Sequence, residues 1–203
     1  EDNYDLIQGF GIPDVTAQGE VESLVNQTKA IHVIPKPDDS VLNEAIEKIL
    51  PRYPKSSLHE FWSNIDDEVL FEEAFSVALA DVDRSSSPGF PYLNMAGGMT
   101  NGDFLDGYLG YVKELVHARI KLLASTPVEI VAKYSGPEKV RAGLCDPIRI
   151  FIKREPHKLK KMKARTFRLI WSISLVDSIC ERFLYARQNK REILNWFDVP
   201  SKP

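Results

Sequence analysis

The chain has 203 residues, 43% of them hydrophobic and 27% charged, with a formal net charge of −3. That is an ordinary globular mixture, able to bury a core and long enough for one large domain or two small ones. No run of about 18 apolar residues occurs, so nothing in this sequence is expected to span a membrane as a helix, and no internal repeat or low-complexity segment occurs.

Residues 1–38 read as loosely organised, since Gly9, Gly11, Pro13, Gly19, Pro35 and Pro37 interrupt every pattern. The acidic, polar opening does not read as a signal peptide. A start at Glu1 rather than Met reads as a processed product or an excised fragment. Asp39 or Ser40 can cap a helix with Val41, Leu42, Ala45, Ile46, Ile49 and Leu50 on one face, stopped by Pro51 and Pro54. A second helix is predicted from about Asp66 to Ala80, with Leu70, Phe71, Ala74, Val77 and Ala78 as its apolar stripe.

Residues 81–107 read as a long, turn-rich loop, and long ordered loops are often functional. A third helix is expected from about Asp106 to Ala124, with Leu109, Val112, Leu115, Val116, Ile120 and Leu123 inward. Ile148–Ile152 and Thr166–Trp171 read as strands. Ser174 with Asp177 three residues on forms a capping box for a helix with Leu175, Ile179, Phe183 and Leu184 on its core face. Cys145 falls in a loop and Cys180 on that helix's apolar side, and both read as free thiols in a reducing compartment. The histidines, His32, His59, His117 and His157, have no zinc spacing and read as surface or helper residues.

The small net charge hides a division. Residues 1–148 hold 12 Lys/Arg and 24 Asp/Glu, whereas residues 149–203 hold 14 and 5. Either the basic end meets a polyanion or the two halves complement each other. The basic residues concentrate in 149–168, as Arg149, Lys153, Arg154, Lys158, Lys160, Lys161, Lys163, Arg165 and Arg168 against the single acid Glu155. Cations at this density repel one another, so a triphosphate or an RNA backbone would relieve the strain. A solvated basic loop or a localisation signal is the bland alternative. Placement between two strands, with Glu155 inside the run and Arg168 inside an apolar strand, favours a basic β-hairpin that projects charge from a rigid base.

A second stretch, Ser85-Ser-Ser-Pro-Gly-Phe-Pro-Tyr92, combines a permissive glycine with stiffening prolines and free hydroxyls. It is either an ordinary turn with a packed Phe–Tyr pair or a loop that contacts phosphates and bases.

Phe151-Ile-Lys-Arg-Glu-Pro-His-Lys158 and Arg165-Thr-Phe-Arg-Leu-Ile170, followed by Ser174-Leu-Val-Asp177 and Glu181-Arg-Phe-Leu184, resemble motif F of positive-strand RNA virus polymerases. Sobemovirus and polerovirus polymerases and their invertebrate relatives are the nearest match, and picornavirus polymerases share the skeleton. Ser85–Tyr92 resembles motif G of the same enzymes. The two stand in the family's order, and the likeness is clear over residues 81–203 and vague over 1–80.

This resemblance implies that Lys153 and Arg168 contact an incoming nucleoside triphosphate, that Lys161 and Arg165 line the same tunnel, and that Glu155 orders the hairpin through ion pairs. It implies that Ser86, Ser87, Gly89 and Tyr92 guide the RNA template. The expected fold is α+β and mostly helical, a partial right-hand polymerase. Residues 1–80 would form an N-terminal extension and helical fingers region, and 81–203 the fingers region with both motifs. The palm's catalytic strands and the thumb would be missing.

The family's two-metal chemistry, with Mg or Mn, needs aspartates of a motif A and a Gly-Asp-Asp motif. No Gly-Asp-Asp occurs, and Trp196–Pro203 resembles the segment just before motif A. The metal-binding aspartates are therefore expected beyond the chain end, and the isolated chain is expected not to polymerise RNA. Partners would be template RNA, nucleoside triphosphates, the palm and thumb, and a genome-linked viral protein, in replication complexes of the host cytoplasm. A stand-alone or host-captured RNA-binding domain is the alternative, to be recognised by surface aromatics beside the basic residues. Acidic helices that bind a basic partner are a third reading.

Overall fold

A computed structural model describes residues 8–29, 35–52, 60–95 and 97–197. Its elements are β1 (Phe10–Gly11), α1 (Ala17–Thr28), α2 (Asp39–Ile49), α3 (Glu68–Ala80), α4 (Tyr92–Met95), α5 (Asn101–Ser125), α6 (Val128–Lys133), α7 (Gly136–Arg141), β2 (Arg149–Ile152), β3 (His157–Lys158), α8 (Leu159–Ala164), β4 (Leu169–Ser172) and α9 (Leu175–Phe197), with short 3-10 turns at Leu50–Arg52 and Glu60–Ser63. The fold is mostly helical α+β with two small sheets, as expected. Pro54, His32, His59 and the proline-rich end at 198–203 lie outside the described residues.

Contacts group the chain into two compact units, one of residues 1–36 with 148–172 and one of 37–147 with 173–203. α3 contributes Phe71, Ala74, Phe75 and Ala78 to the same core as α5 and α9.

In the larger unit, α3 starts where Asp67 accepts hydrogen bonds from the amides of Val69 and Leu70 at 2.9 and 3.0 Å. The core joins α3 to Val112, Val116 and Ile120 of α5 and to Leu175, Val176, Ile179, Cys180 and Phe183 of α9. Phe71 stacks on Phe183 with centroids 5.5 Å apart and on the His117 ring at 4.2 Å. His117 is thus a packing residue on the edge of the core. Among the predicted inward positions, Leu109 and Leu123 of α5 and Val77 of α3 remain exposed.

α5 begins at Asn101 rather than near Asp106. Thr100 and Asp103 form a capping box, and the loop before it supplies acceptors that the sequence pattern does not reveal. The Asn101 amide donates to the Ser86 carbonyl at 2.7 Å and the Gly102 amide to the Arg84 carbonyl at 2.8 Å. A kink at Tyr108 follows, so one continuous apolar stripe does not describe the whole helix. α2 also departs from expectation in its burial: every residue of its apolar stripe is exposed, with Leu50 just beyond it at 66%.

The smaller unit is built around the basic stretch. β2 and β4 pair antiparallel, from Arg149↔Ser172 to Ile152↔Leu169. The hairpin between them is not a plain loop. β3 leaves it to pair with β1 (Phe10↔Lys158, Gly11↔His157), and α8 follows.

The region that reads as loosely organised contains α1, capped by Thr16. This helix buries polar atoms rather than an apolar stripe. Ser23 is fully buried; its hydroxyl donates to the Phe167 carbonyl at 3.2 Å and accepts from the Phe167 amide at 2.8 Å. Gln27 donates to the same carbonyl at 2.8 Å. Ser23→Ala should therefore destabilise this unit by roughly 1–3 kcal/mol, because the buried Phe167 amide loses its acceptor. Urea unfolding of the two proteins side by side measures this.

Candidate nucleic-acid and nucleotide interface

Strand alternation gives the β2–β4 ribbon two chemically distinct faces. The Lys153 amide donates to the Arg168 carbonyl at 2.9 Å, which extends the ladder one step beyond Ile152↔Leu169. Lys153 and Arg168 therefore fall on the same face as Arg149, Phe151 and Ile170. Ile150, Ile152, Leu169 and Trp171 occupy the other.

Glu155 stands between the two cations. Its carboxylate is 2.6 Å from Lys153 Nζ and 3.4 Å from the Arg168 guanidinium. The hydrogen bond from Lys153, and then the charges of Lys153 and Arg168, hold the Glu155 carboxyl below its ordinary value. Side-chain exposures of 43% for Lys153 and 60% for Arg168 leave both heads open to an anion. The guanidinium of Arg149 lies 5.1 Å from the Phe151 ring centroid, a cation–π contact on the same face. Lys161 is exposed on α8.

Arg165 ends α8 in the left-handed region at φ 49°. A residue other than glycine pays a steric cost there. Its guanidinium pairs with Glu22 of α1, and Asn26 donates to the carbonyls of Ala164 and Arg165 at 3.3 and 3.5 Å. Arg165 is thus tied to α1, apart from the Lys153–Glu155–Arg168 group. Sequence reasoning missed Glu22, Ser23, Asn26 and Gln27, whose only local signal is the Thr16 cap. His157 is buried, its ring edge-on to Phe167 at 5.5 Å, and Nε2 lies 3.3 Å from the Lys153 carbonyl. It is a core histidine.

The Ser85–Tyr92 loop belongs to the larger unit, and its four candidate residues differ in placement. The Ser86 hydroxyl donates to Asp83 at 2.6 Å, and Ser85 donates to the same carboxylate through hydroxyl and amide at 2.7 and 2.9 Å. Ser87 is exposed and its hydroxyl accepts from the Gly89 amide at 3.4 Å. Gly89 and Tyr92 are buried. Gly89 adopts φ +68°, and a Cβ there would sit 2.5 Å from the Ile173 carbonyl oxygen. Burial, then the neighbouring Asp146 carboxylate, pushes the Tyr92 phenol upward.

Hydrogen bonds from Ser86 and Ser85 depress the Asp83 carboxyl to about 2. A depressed folded-state value means that this carboxylate stabilises the loop above its ordinary value of 3.8 and ceases to as pH falls toward 2. Protection of the Ser85 amide relative to its intrinsic exchange rate should hold at pH 5 and be lost between about pH 4 and 2, and Asp83→Asn should remove that loss of protection with pH.

Among the described residues no group of three or more His, Cys, Asp or Glu could hold a metal ion. Asp146 and Asp177 pair with Arg119, and Asp83 accepts hydrogen bonds from Ser85 and Ser86. The described residues therefore do not fit a catalytic metal pair, and no step through one follows from them. Both cysteines are free, and no described helix is long and apolar enough to cross a membrane.

A family model described as viral RNA-directed RNA-polymerase matches residues 7–203. The chain belongs to this polymerase family. Its sequence is 37% identical over 200 residues to the replicase polyprotein P2AB of Southern cowpea mosaic virus, covering 96% of the chain and 20% of that protein. It is 32% identical over 209 residues to protein P1-P2 of potato leafroll virus, covering 98% of the chain and 19% of the relative. A 77-residue stretch is 53% identical to protein P1-P2 of Turnip yellows virus, 37% of the chain and 7% of that protein. The viral RNA polymerase segment therefore spans about a fifth of the length of the full-coverage relatives, and the sobemovirus and polerovirus resemblance holds. No solved structure gives a significant match.

Proposed function

We propose that this segment of a viral RNA-directed RNA polymerase grips the incoming nucleoside triphosphate and guides template RNA. Support comes from one observation above all: Lys153 and Arg168 share one ribbon face, oriented by a single carboxylate and open to solvent. A triphosphate displaces Glu155 as their counter-ion at little cost in rearrangement, because the strand ladder already holds both stems. Lys161 adds positive charge nearby in sequence, and Arg165 secures the hairpin to α1.

In the template loop, Ser87 and the 37%-exposed Phe90 meet RNA, while Gly89 and Tyr92 fix the loop's shape. Contact of Ser86 with a phosphate requires its hydroxyl to leave Asp83. In right-hand polymerase terms this is a fingers region. The Mg or Mn ions and their aspartates come from other polymerase segments, as do palm and thumb. A genome-linked protein and host-cytoplasmic replication complexes complete the setting.

Binding of RNA and of a nucleoside triphosphate by the purified chain across a salt series tests the proposal. Affinity that falls steeply with salt supports it. Salt-independent binding, or none from folded protein, contradicts it.

A stand-alone RNA-binding role has one observation in its favour. Trp171 is 58% exposed on β4, on the ribbon face opposite Lys153 and Arg168. A stacking platform of this kind loses about 1–3 kcal/mol per base when truncated. Trp171→Ala should then weaken binding to single-stranded RNA about tenfold or more and leave triphosphate binding unchanged. Under the polymerase reading Trp171 has no such part, and RNA affinity changes little.

A further inference from the structure

The smaller unit's second segment, 148–172, is strung between two chain crossings, and the residues flanking those crossings are bonded to each other within the larger unit. Asp146 precedes the first crossing and Ser174 follows the second. The Ser174 hydroxyl donates to Asp146 Oδ2 at 2.6 Å. The Asp146 amide donates to Asp177 Oδ2 at 2.7 Å, and the Asp177 amide to the Ser174 hydroxyl at 3.0 Å. Arg119 of α5 closes the ring, with one guanidinium nitrogen 2.9 Å from Asp146 Oδ1 and the other on Asp177. The side chains of Arg119 and Asp146 are each 11% exposed.

The expected capping box is therefore only half realised. Ser174 caps α9, but the Asp177 carboxylate turns to Arg119 and to the Asp146 amide. The Ser85–Tyr92 loop joins the same place. The Leu175 amide donates to the Pro88 carbonyl at 2.8 Å, Gly89 presses on Ile173, and Tyr92 lies against Asp146.

We propose that Arg119, Asp146, Ser174 and Asp177 are positioning residues: a clasp that holds the two roots of the basic hairpin together and fixes the Ser85–Tyr92 loop to the same point. The clasp touches neither RNA nor nucleotide. It rests on the proposed function in that the elements it positions are the nucleotide-gripping hairpin and the template loop. Two hairpin roots held by four mutually satisfied polar groups, Ser174 buried and the other three largely so, have one geometry; roots held only by apolar packing slide more freely. Arg119 suits the task because its planar fork reaches two carboxylates at once, which an ammonium does not reproduce.

The test uses the full 203-residue chain with Ser174→Ala, which deletes the bond across the crossings, and Ser174→Thr, which restores a hydroxyl. Amide exchange in β2 and β4 and affinity for guanosine triphosphate are read together, with circular dichroism confirming that the helices remain. In Ser174→Ala, exchange at the Lys153 amide should rise about tenfold and triphosphate affinity fall about fivefold, and Ser174→Thr should recover most of both. Hairpin exchange unchanged in folded Ser174→Ala overturns the clasp, whatever the affinity does. Hairpin exchange raised and rescued by threonine, in a chain that never binds triphosphate, supports the clasp and counts against the nucleotide reading instead. If Ser174→Ala does not fold, Arg119→Lys serves: a raised hairpin exchange with an intact α3–α5–α9 core supports the clasp, and unchanged exchange overturns it.

Discussion

The Lys153→Ala/Arg168→Ala double variant is expected to bind nucleoside triphosphate at least about tenfold more weakly than the wild type at low salt. A charge-assisted hydrogen bond contributes roughly 1.5–3 kcal/mol, and about 1.4 kcal/mol is a factor of ten. Two such contacts allow a loss of a hundredfold or more, but Glu155 already neutralises part of the charge they offer, so the smaller figure is the firmer one. RNA binding should weaken as well, with a shallower salt dependence. Each phosphate neutralised on a single strand contributes about 0.7 to the slope of log affinity against log salt, so two lost contacts reduce it by about 1.4. Titrations at four salt concentrations measure both quantities. An Ala pair at Lys160 and Lys163, outside the Glu155 group, should reduce the slope similarly for RNA and leave triphosphate affinity nearly intact.

Arg119→Ala is expected to cost the larger unit roughly 3–5 kcal/mol, because removing one member of a buried ionic group leaves the others charged and unpaired. Asp146 and Asp177 would then face each other as like charges, with side chains only 11% and 19% exposed. Domains of this kind have about 5–15 kcal/mol in total, so the loss places the unit near its stability limit and lowers its melting temperature by roughly 10 °C or more. Ion pairs with Asp146 and Asp177 outweigh burial and hold the Arg119 guanidinium above its ordinary value, so it stays charged at every working pH. By contrast, Lys48→Ala breaks only an exposed pair with Glu44 and should change stability by no more than about 0.5 kcal/mol. Calorimetric melts of the three proteins separate these cases.

Much of the larger unit was legible because its helices obey an apolar period. Phe71, Ala74 and Ala78 of α3, Val112, Val116 and Ile120 of α5, and Leu175, Ile179 and Phe183 of α9 all lie in one core, and each follows from spacing alone. What spacing could not show is burial without an apolar stripe. α1 packs through Ser23 and Gln27, so its inward face reads as polar. The start of α5 was hidden for a related reason. Asn101 and Gly102 look like a turn, and only the carbonyls of Arg84 and Ser86, fifteen or more residues earlier, make them a helix start.

The candidate site was legible in its residue types and not in its wiring. Charge density picked out the hairpin, and strand periodicity allowed the β2–β4 ribbon. That Arg165 would turn to Glu22 could not be read, because no pattern links positions 143 residues apart. Nor could the chain show that Asp177, spaced as a capping-box acid, would join Arg119 instead. Partner choice among charged groups is decided by which elements meet in space, and this sequence carries many carboxylates that could have served.

One measurement bears most directly on the nucleotide-gripping hairpin: photocrosslinking a base-modified azido nucleoside triphosphate to the purified chain, with the modified peptides located by mass spectrometry and an excess of unmodified triphosphate as competitor. Competed adducts concentrated within 149–172, and reduced in the Lys153→Ala/Arg168→Ala protein, are the predicted result. Competed adducts confined to α2, α3 or the far end of α5, with the hairpin unlabelled, would contradict the account.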